Sequence, residues 1–212
     1  MGYAERAAAE LRASLAGLKV ALDVQHLYQQ DKPNDRGTVY TLGDGSRVCE
    51  AQAAVAYAQA AGTYLTQRGA QVLTNQPTHG ILLGHYWTRN RAANAWGAHA
   101  YLACHVNAGG GDYFLAEYML ASPGAGLGIS IGNAVVGAFP AIQGVKTNPL
   151  VRGQRGAVCI ESTDATMAAI VLEPFFGDRA RFASLFAPEN LARLGTAIGI
   201  GIGQWWARRA TA

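Results

Sequence analysis

Apolar residues follow two rhythms along this chain, and the rhythms take turns. Largely apolar runs of strand length occur at residues 18–24, 71–74, 101–107, 113–120 and 167–172, with a shorter one at 157–160. Most are bounded by glycine, proline or polar residues, as buried strands are. Between the runs the spacing changes to the helical period. Ala8, Leu11, Leu15 and Leu18 share a face over residues 3–17, with Gly17 placed to end the helix. Ala54, Tyr57, Ala61 and Leu65 do the same in a segment that starts at Ser46, a fair N-cap, and closes at Arg68-Gly69. Further helices are predicted over 86–99, over 126–139 despite its glycines, and over 189–207. Pro188 opens the last of these, with Leu191, Leu194, Ile198, Ile202 and Trp205 inward.

Strands that alternate with helices predict an α/β chain: a three-layer α/β/α domain whose mostly parallel, twisted central sheet is covered by helices. At 212 residues, with no repeat and no linker-like stretch, a single domain over 1–212 is expected, the 3–17 helix packed on it. The polar, proline-containing segment 28–45 is long enough to be functional rather than connective.

Composition narrows the partners. Half of the residues are apolar and 15% are charged, the balance of a packed globule and not of a disordered chain. A net charge of +3 without any lysine or arginine run argues against nucleic acid. No stretch reaches the roughly 18 to 20 apolar residues that a membrane span requires. Glu5 and Glu10 stand where a secretion signal is basic, so no signal peptide and synthesis in the cytoplasm are expected. Cys49, Cys104 and Cys159 are odd in number and far apart, which predicts buried thiols and no disulfide framework.

The candidate chemistry lies where strands end. His105 closes the run Tyr101-Leu102-Ala103-Cys104-His105-Val106-Asn107 just before Ala108-Gly109-Gly110-Gly111-Asp112, and His26 follows the first strand. Glu173 ends a late strand, kept extended by Pro174, and Glu50 falls near the start of the second helix. In open α/β sheets ligands bind beyond the carboxyl ends of strands. Two imidazoles and a carboxylate on separate elements are the donor set of a catalytic zinc site with one position open, and a second carboxylate is then left to act as a base. For either histidine taken singly, satisfaction by packing alone stays open. Consecutive strand residues face opposite sides, so His105 and Cys104 cannot both reach one ion; Cys104 is assigned to the helix-covered side. Cys49 is turned about 100° from Glu50 around its helix. A Cys104 nucleophile paired with His26 or His99 would need an exposed thiolate, which a buried strand opposes. His79 and His85 are left to solvent or substrate contact, and His99 to a helix C-terminus where positive charge is welcome.

These residues resemble a family, the zinc-dependent N-acetylmuramoyl-L-alanine amidases of bacterial cell separation and of phage endolysins. Leu22-Asp23-Val24-Gln25-His26 is similar to the family's first strand and metal histidine, and Glu50 matches its metal glutamate. Arg91-Ala92-Ala93-Asn94 followed by Cys104-His105-Val106-Asn107 resembles the helix and the S-I-H-x-N strand that bring the second histidine. The stretch Ala168-Ala169-Ile170-Val171-Leu172-Glu173-Pro174-Phe175-Phe176 resembles the late strand whose glutamate is catalytic. The departures are Gln25 and Leu27 where the family sets glycines, the loss of its serine within Leu102-Ala103-Cys104, and Pro174 after the glutamate.

The resemblance implies one Zn2+ ion held by His26, Glu50 and His105, with Glu173 moving the proton. It implies hydrolysis of the amide between N-acetylmuramic acid and the L-alanine of the peptidoglycan stem peptide. Asn107, Arg152 and Arg155 are candidate walls for an anionic peptidoglycan substrate, with solvated loop residues the reading placed first, and the departures suggest a phage or prophage lysin acting on the cell wall. Rival readings are a zinc peptidase or other amidohydrolase on a related sheet, a wall-binding module that has lost its metal, and a glycosidase using Glu161 with Glu173.

Overall fold

A computed structural model describes residues 14–27, 32, 34–75 and 82–209. Most of the 3–17 helix expected from the sequence, and His79, lie outside the described residues. In chain order the elements are β1 (Lys19–Val24), β2 (Val39–Thr41), β3 (Arg47–Cys49), α1 (Glu50–Thr66), β4 (Gln71–Thr74), α2 (Tyr86–Trp96) and β5 (Ala100–Cys104). There follow β6 (Phe114–Met119), α3 (Gly124–Ala138), β7 (Val145–Leu150), β8 (Ala168–Glu173) and α4 (Pro188–Arg209), with 3-10 turns at Ala157–Cys159 and Ala180–Phe186.

Six strands form the central sheet in the order β4-β1-β5-β8-β6-β7. The first four are mutually parallel; β6 runs antiparallel to β8 and carries β7 parallel to itself. The expected three-layer, mostly parallel α/β/α architecture is what the chain adopts. Strand alternation sorts the apolar side chains into two cores. Val20, Leu22, Leu102, Cys104, Ile170 and Leu172 face α1, α3 and α4. Ala21, Tyr101, Ala103, Ala169 and Val171 face α2 and the 157–160 turn. Each fully buried leucine or isoleucine here contributes roughly 1.5–3 kcal/mol from burial alone. On the first face small residues let helices approach closely: a Cβ at Gly128 would lie 2.7 Å from Ala116 Cβ, and one at Gly195 would meet the Tyr57 carbonyl of α1.

Several expectations need correction. The helix expected from Ser46 begins at Glu50, because residues 39–49 fold back as a hairpin of β2 and β3. Its turn is tied by the Asp44 carboxylate, which accepts from the Ser46 N–H at 2.9 Å, and by Gly45 at φ +81°. Helix α2 stops at Trp96 because Gly97 takes the left-handed conformation at φ +74°. The run at 157–160 is a 3-10 turn and not a strand, and 145–150, which no apolar run marks in the sequence, is the edge strand β7. An edge position is where Pro149 can be accommodated.

Candidate metal centre

Strands β1, β5 and β8 are neighbours, and all three present their carboxyl ends to the same side of the sheet. Neighbouring strands lie about 4.8 Å apart, so residues far separated in sequence arrive in a row. His26 stands just past β1, His105 directly after β5, and Glu173 is the last residue of β8. Glu50 reaches the row from the side as the first residue of α1, held by the Glu50 N–H bond to the Thr38 carbonyl at 2.8 Å.

One Glu50 oxygen is the meeting point. Oε1 lies 2.8 Å from His105 Nδ1 and 3.4 Å from His26 Nε2, and the two imidazole rings meet edge-on with centroids 5.0 Å apart. One donor atom from each of His26, Glu50 and His105 can be drawn from within 4.8 Å of the others. Two imidazole nitrogens and a carboxylate converging this closely fit zinc, whose bonds to such donors are about 2.0–2.2 Å.

The donors are fixed from behind. Asp35 Oδ2 lies 3.1 Å from His26 Nδ1, which leaves Nε2 to face Glu50. This carboxylate-histidine pairing sets the tautomer of metal-ligating imidazoles. Glu50 Oε2 accepts from the Thr38 N–H at 3.0 Å and Oε1 from the Val106 N–H at 3.2 Å. Gly37, at φ +69°, is required where it stands, since a Cβ there would lie 2.5 Å from Glu50 Oε2 and 2.8 Å from the His26 ring. Tyr57 donates to the His105 carbonyl at 2.8 Å and Tyr40 to that of Val106 at 2.7 Å. Beneath the His26 turn sits an ion pair with no solvent exposure, Arg89 Nη1 to Asp23 Oδ1 at 2.8 Å. The same guanidinium donates to the carbonyls of Leu27 and Gly84, and Asp23 also receives Tyr101, Gln25 and Asn75.

Electrostatics separates the two carboxylates. Burial alone would raise the Glu50 pKa, but hydrogen bonds and charge from His105 and His26 overcome it and hold the group well below the carboxylate range. Among the described residues Glu173 has no such partner. Burial first, then the negative charges of Glu117 and Glu50, push it up to about 8, against which Arg155 acts weakly. His26 is displaced upward: burial opposes this, and Glu50 and Asp35 outweigh it.

These groups open onto a cleft of about 670 Å³ whose lining includes Asn107, Leu115, Glu117, Arg155, Val158 and Cys159 as well as His26, Glu50, His105 and Glu173. The four site residues expected from the sequence are therefore brought together. Asp35, Glu117 and Cys159 were missed. Asp35 sat in a long polar loop, and Glu117 is placed here because β6 runs antiparallel to β8, pairing Leu115 with Glu173 and Glu117 with Val171. Glu161 is not in the cleft lining, which counts against the glycosidase pair, and Arg152 turns to the Glu161 carbonyl at 3.2 Å. Cys104 lies in the helix-facing core with burial driving its thiol pKa up, so it is no nucleophile. His85 precedes α2 and stacks on Trp87. His99 corrects the expectation of a favoured positive charge: its Nδ1 accepts the Lys19 N–H at 3.0 Å, and burial, Arg209 and Lys19 lower its pKa.

No family model and no curated protein sequence matches the chain. Solved structures do. AmiC2 of Nostoc punctiforme, an N-acetylmuramoyl-L-alanine amidase, superposes with a TM-score of 0.72 at 19% identity, over 91% of this chain and 99% of that one. Ami1 from Mycobacterium smegmatis, an N-acetylmuramyl-L-alanine amidase, gives 0.68 at 16% identity, over 92% and 99%. Cwp6 from Clostridium difficile gives 0.69 at 21% identity over 89% of this chain, which spans only 29% of the Cwp6 chain. The chain has the fold of these proteins.

Proposed function

We propose that this protein is a zinc-dependent N-acetylmuramoyl-L-alanine amidase that cuts the amide between N-acetylmuramic acid and the L-alanine of the peptidoglycan stem peptide. The observation that carries the reading is the convergence of His26, Glu50 and His105 with Glu173 beside them in one cleft. The shared fold adds to it, since several of the similar structures are N-acetylmuramoyl-L-alanine amidases. His26, Glu50 and His105 would hold one zinc ion. Zinc, when bound, supplies Lewis acidity that polarises the scissile carbonyl and acidifies water.

The rest of the chemistry belongs to the chain. Glu173 takes a proton from the attacking water and hands it to the departing L-alanine amine. A pKa near 8 without metal suits a group that must hold a proton between those two transfers. Arg155, at the cleft wall, places positive charge where the stem peptide's carboxylates approach. No described helix is long and apolar enough to cross a membrane. The cell wall is the proposed place of action, as a phage or prophage lysin, and the catalytic domain of the CD27L endolysin is among the similar structures, with a TM-score of 0.53.

The test is digestion of purified peptidoglycan, read by mass spectrometry and amino-terminal analysis. New L-alanine N-termini without new reducing sugars are expected, abolished by a chelator and restored by zinc. New amines at any other stem residue would turn the reading into a peptidase. Glu173→Gln should lower kcat by about 10²–10⁴ with zinc still bound, the worth of a positioned proton carrier.

A further inference from the structure

The two imidazoles are backed differently. His26 has a carboxylate on its outward nitrogen, Asp35 at 3.1 Å. His105 presents Nδ1 to Glu50, and its other nitrogen, Nε2, has Cys159 Sγ at 4.0 Å. Among the described residues no other hydrogen-bond partner of Nε2 is found. Metal-bound histidines almost always donate their second N–H to a carboxylate, a carbonyl or water, and this outer bond fixes both the tautomer and the ring plane.

Cys159 does not arrive there by default. It is a free thiol, 6% exposed, at the end of the Ala157–Cys159 turn and in the wall of the cleft. Its carbonyl accepts the Asn90 side-chain amide at 2.9 Å, in a pair of residues buried from solvent. Four residues along α2, Asn94 holds the same loop farther on, donating to the Ser162 carbonyl at 2.9 Å and accepting the Asp164 N–H at 3.0 Å. Asn90 and Asn94 thus lie on one face of α2 and clamp the loop that aims the sulfur at His105.

We propose that Cys159 is a positioning residue for His105: its sulfur accepts the Nε2–H and thereby commits Nδ1 to the metal. The inference rests on the reading of His26, Glu50 and His105 as a metal centre. Sulfur is a weak acceptor and 4.0 Å is the outer reach of such a bond. The effect therefore belongs at the lower end of the 10–100-fold that outer partners contribute to metal affinity, about tenfold. His105 is accordingly the less firmly oriented of the two imidazoles, and His26 the firmer.

The experiment compares Cys159→Val, which fills the space without an acceptor, with Cys159→Asn, whose amide oxygen reaches farther than the thiol. Zinc dissociation constants are measured by competition with a chromogenic chelator, and the visible spectrum of the cobalt-loaded protein reports ligand geometry independently of turnover. Circular dichroism of the metal-free proteins selects variants that fold. Expected are about tenfold weaker zinc binding and an altered cobalt spectrum for Cys159→Val, with Cys159→Asn binding at least as tightly as the natural protein. Cys159→Val with unchanged affinity and spectrum, or Cys159→Asn as weak as Cys159→Val, overturns the role. A natural protein that binds neither zinc nor cobalt overturns the metal centre itself, a result distinct from either of these.

Discussion

Glu173→Gln should make the metal-free protein more stable at alkaline pH, although it removes the group assigned to proton transfer. In the folded chain the Glu173 pKa is pushed from the ordinary 4.5 up to about 8 by burial and by the charges of Glu117 and Glu50. Below 4.5 both folded and unfolded chains carry the proton and nothing is lost. Between 4.5 and about 8 the unfolded chain gives up a proton that the folded chain keeps, so stability falls across that window and levels off above it. At about 1.4 kcal/mol per pH unit over this interval, the loss is on the order of 5 kcal/mol. Glutamine keeps the shape and never ionises. Urea unfolding in excess chelator at pH 4.5, 6, 7.5 and 9 should therefore give curves that coincide at the acid end and separate as pH rises, glutamine above. His26, also displaced upward, loses its contribution in the same direction, but it is common to both proteins and cancels in their difference. Parallel stability curves, or a glutamine variant weaker at pH 9, would refute the account of Glu173 as a proton-holding carboxyl. Saturating zinc should shrink the difference, since a cation facing the cleft favours the ionised form.

Asp35→Ala should weaken zinc binding 10–100-fold in the same chelator competition, more than Cys159→Val does, because a carboxylate is the stronger outer partner. Arg89→Met removes the ion-pair partner of fully buried Asp23 and should cost about 3–5 kcal/mol in urea unfolding; a loss below about 1 kcal/mol would show that the bonds from Tyr101, Gln25 and Asn75 suffice to hold Asp23 without the guanidinium. Gly195→Ala pushes a Cβ into the backbone of α1 at Tyr57 and Ala61, whereas Gly203→Ala meets only Leu15 methyls at 3.4 Å and beyond. The first should destabilise by roughly 1–3 kcal/mol and the second be neutral or mildly stabilising, by the helix propensity of alanine; equal effects would mean the α1–α4 contact yields more easily than its geometry implies.

The parts legible in the sequence were those with a strong local period. Strands β1, β5 and β8 showed as apolar runs because helices cover both faces, and α4 showed through its long apolar stripe. Their ends could be named without coordinates, so His26, His105 and Glu173 were reachable. What failed had contradictory local signals. Strand β7, Val145–Leu150, carries Lys146, Asn148 and Pro149 and is largely exposed on the sheet edge, so no apolar run marks it. The β2–β3 hairpin is three residues a side and takes its definition from the Asp44-Gly45 turn. Asp35 owes its place to a local turn, in which the Gly37 N–H donates to its carboxylate, and Cys159 to a tertiary contact with Asn90; no periodicity encodes either. Glu117 depended on strand direction: in a wholly parallel sheet the residue beside Glu173 would have been the end of β6, and the antiparallel pairing brings its beginning there.

That one reversal has a chemical consequence. Buried Glu50 and half-buried Glu173 are carboxylates of one cleft, yet their pKa values move apart, and the neighbours supplied by the fold decide which way each goes. Parallel β1 and β5 set two imidazoles against Glu50, which keeps it ionised as a ligand must be. Antiparallel β6 sets Glu117 near Glu173 on the same face of the sheet, where a second negative charge keeps a proton on the pair. Titratable groups whose surroundings drive them apart in this way divide into a charge holder and a proton carrier. If the division is sound, Glu117→Gln must lower the Glu173 pKa in the metal-free protein and move the alkaline loss of stability to lower pH. An unmoved profile would leave burial and the Glu50 charge as the causes and Glu117 as a bystander in the cleft.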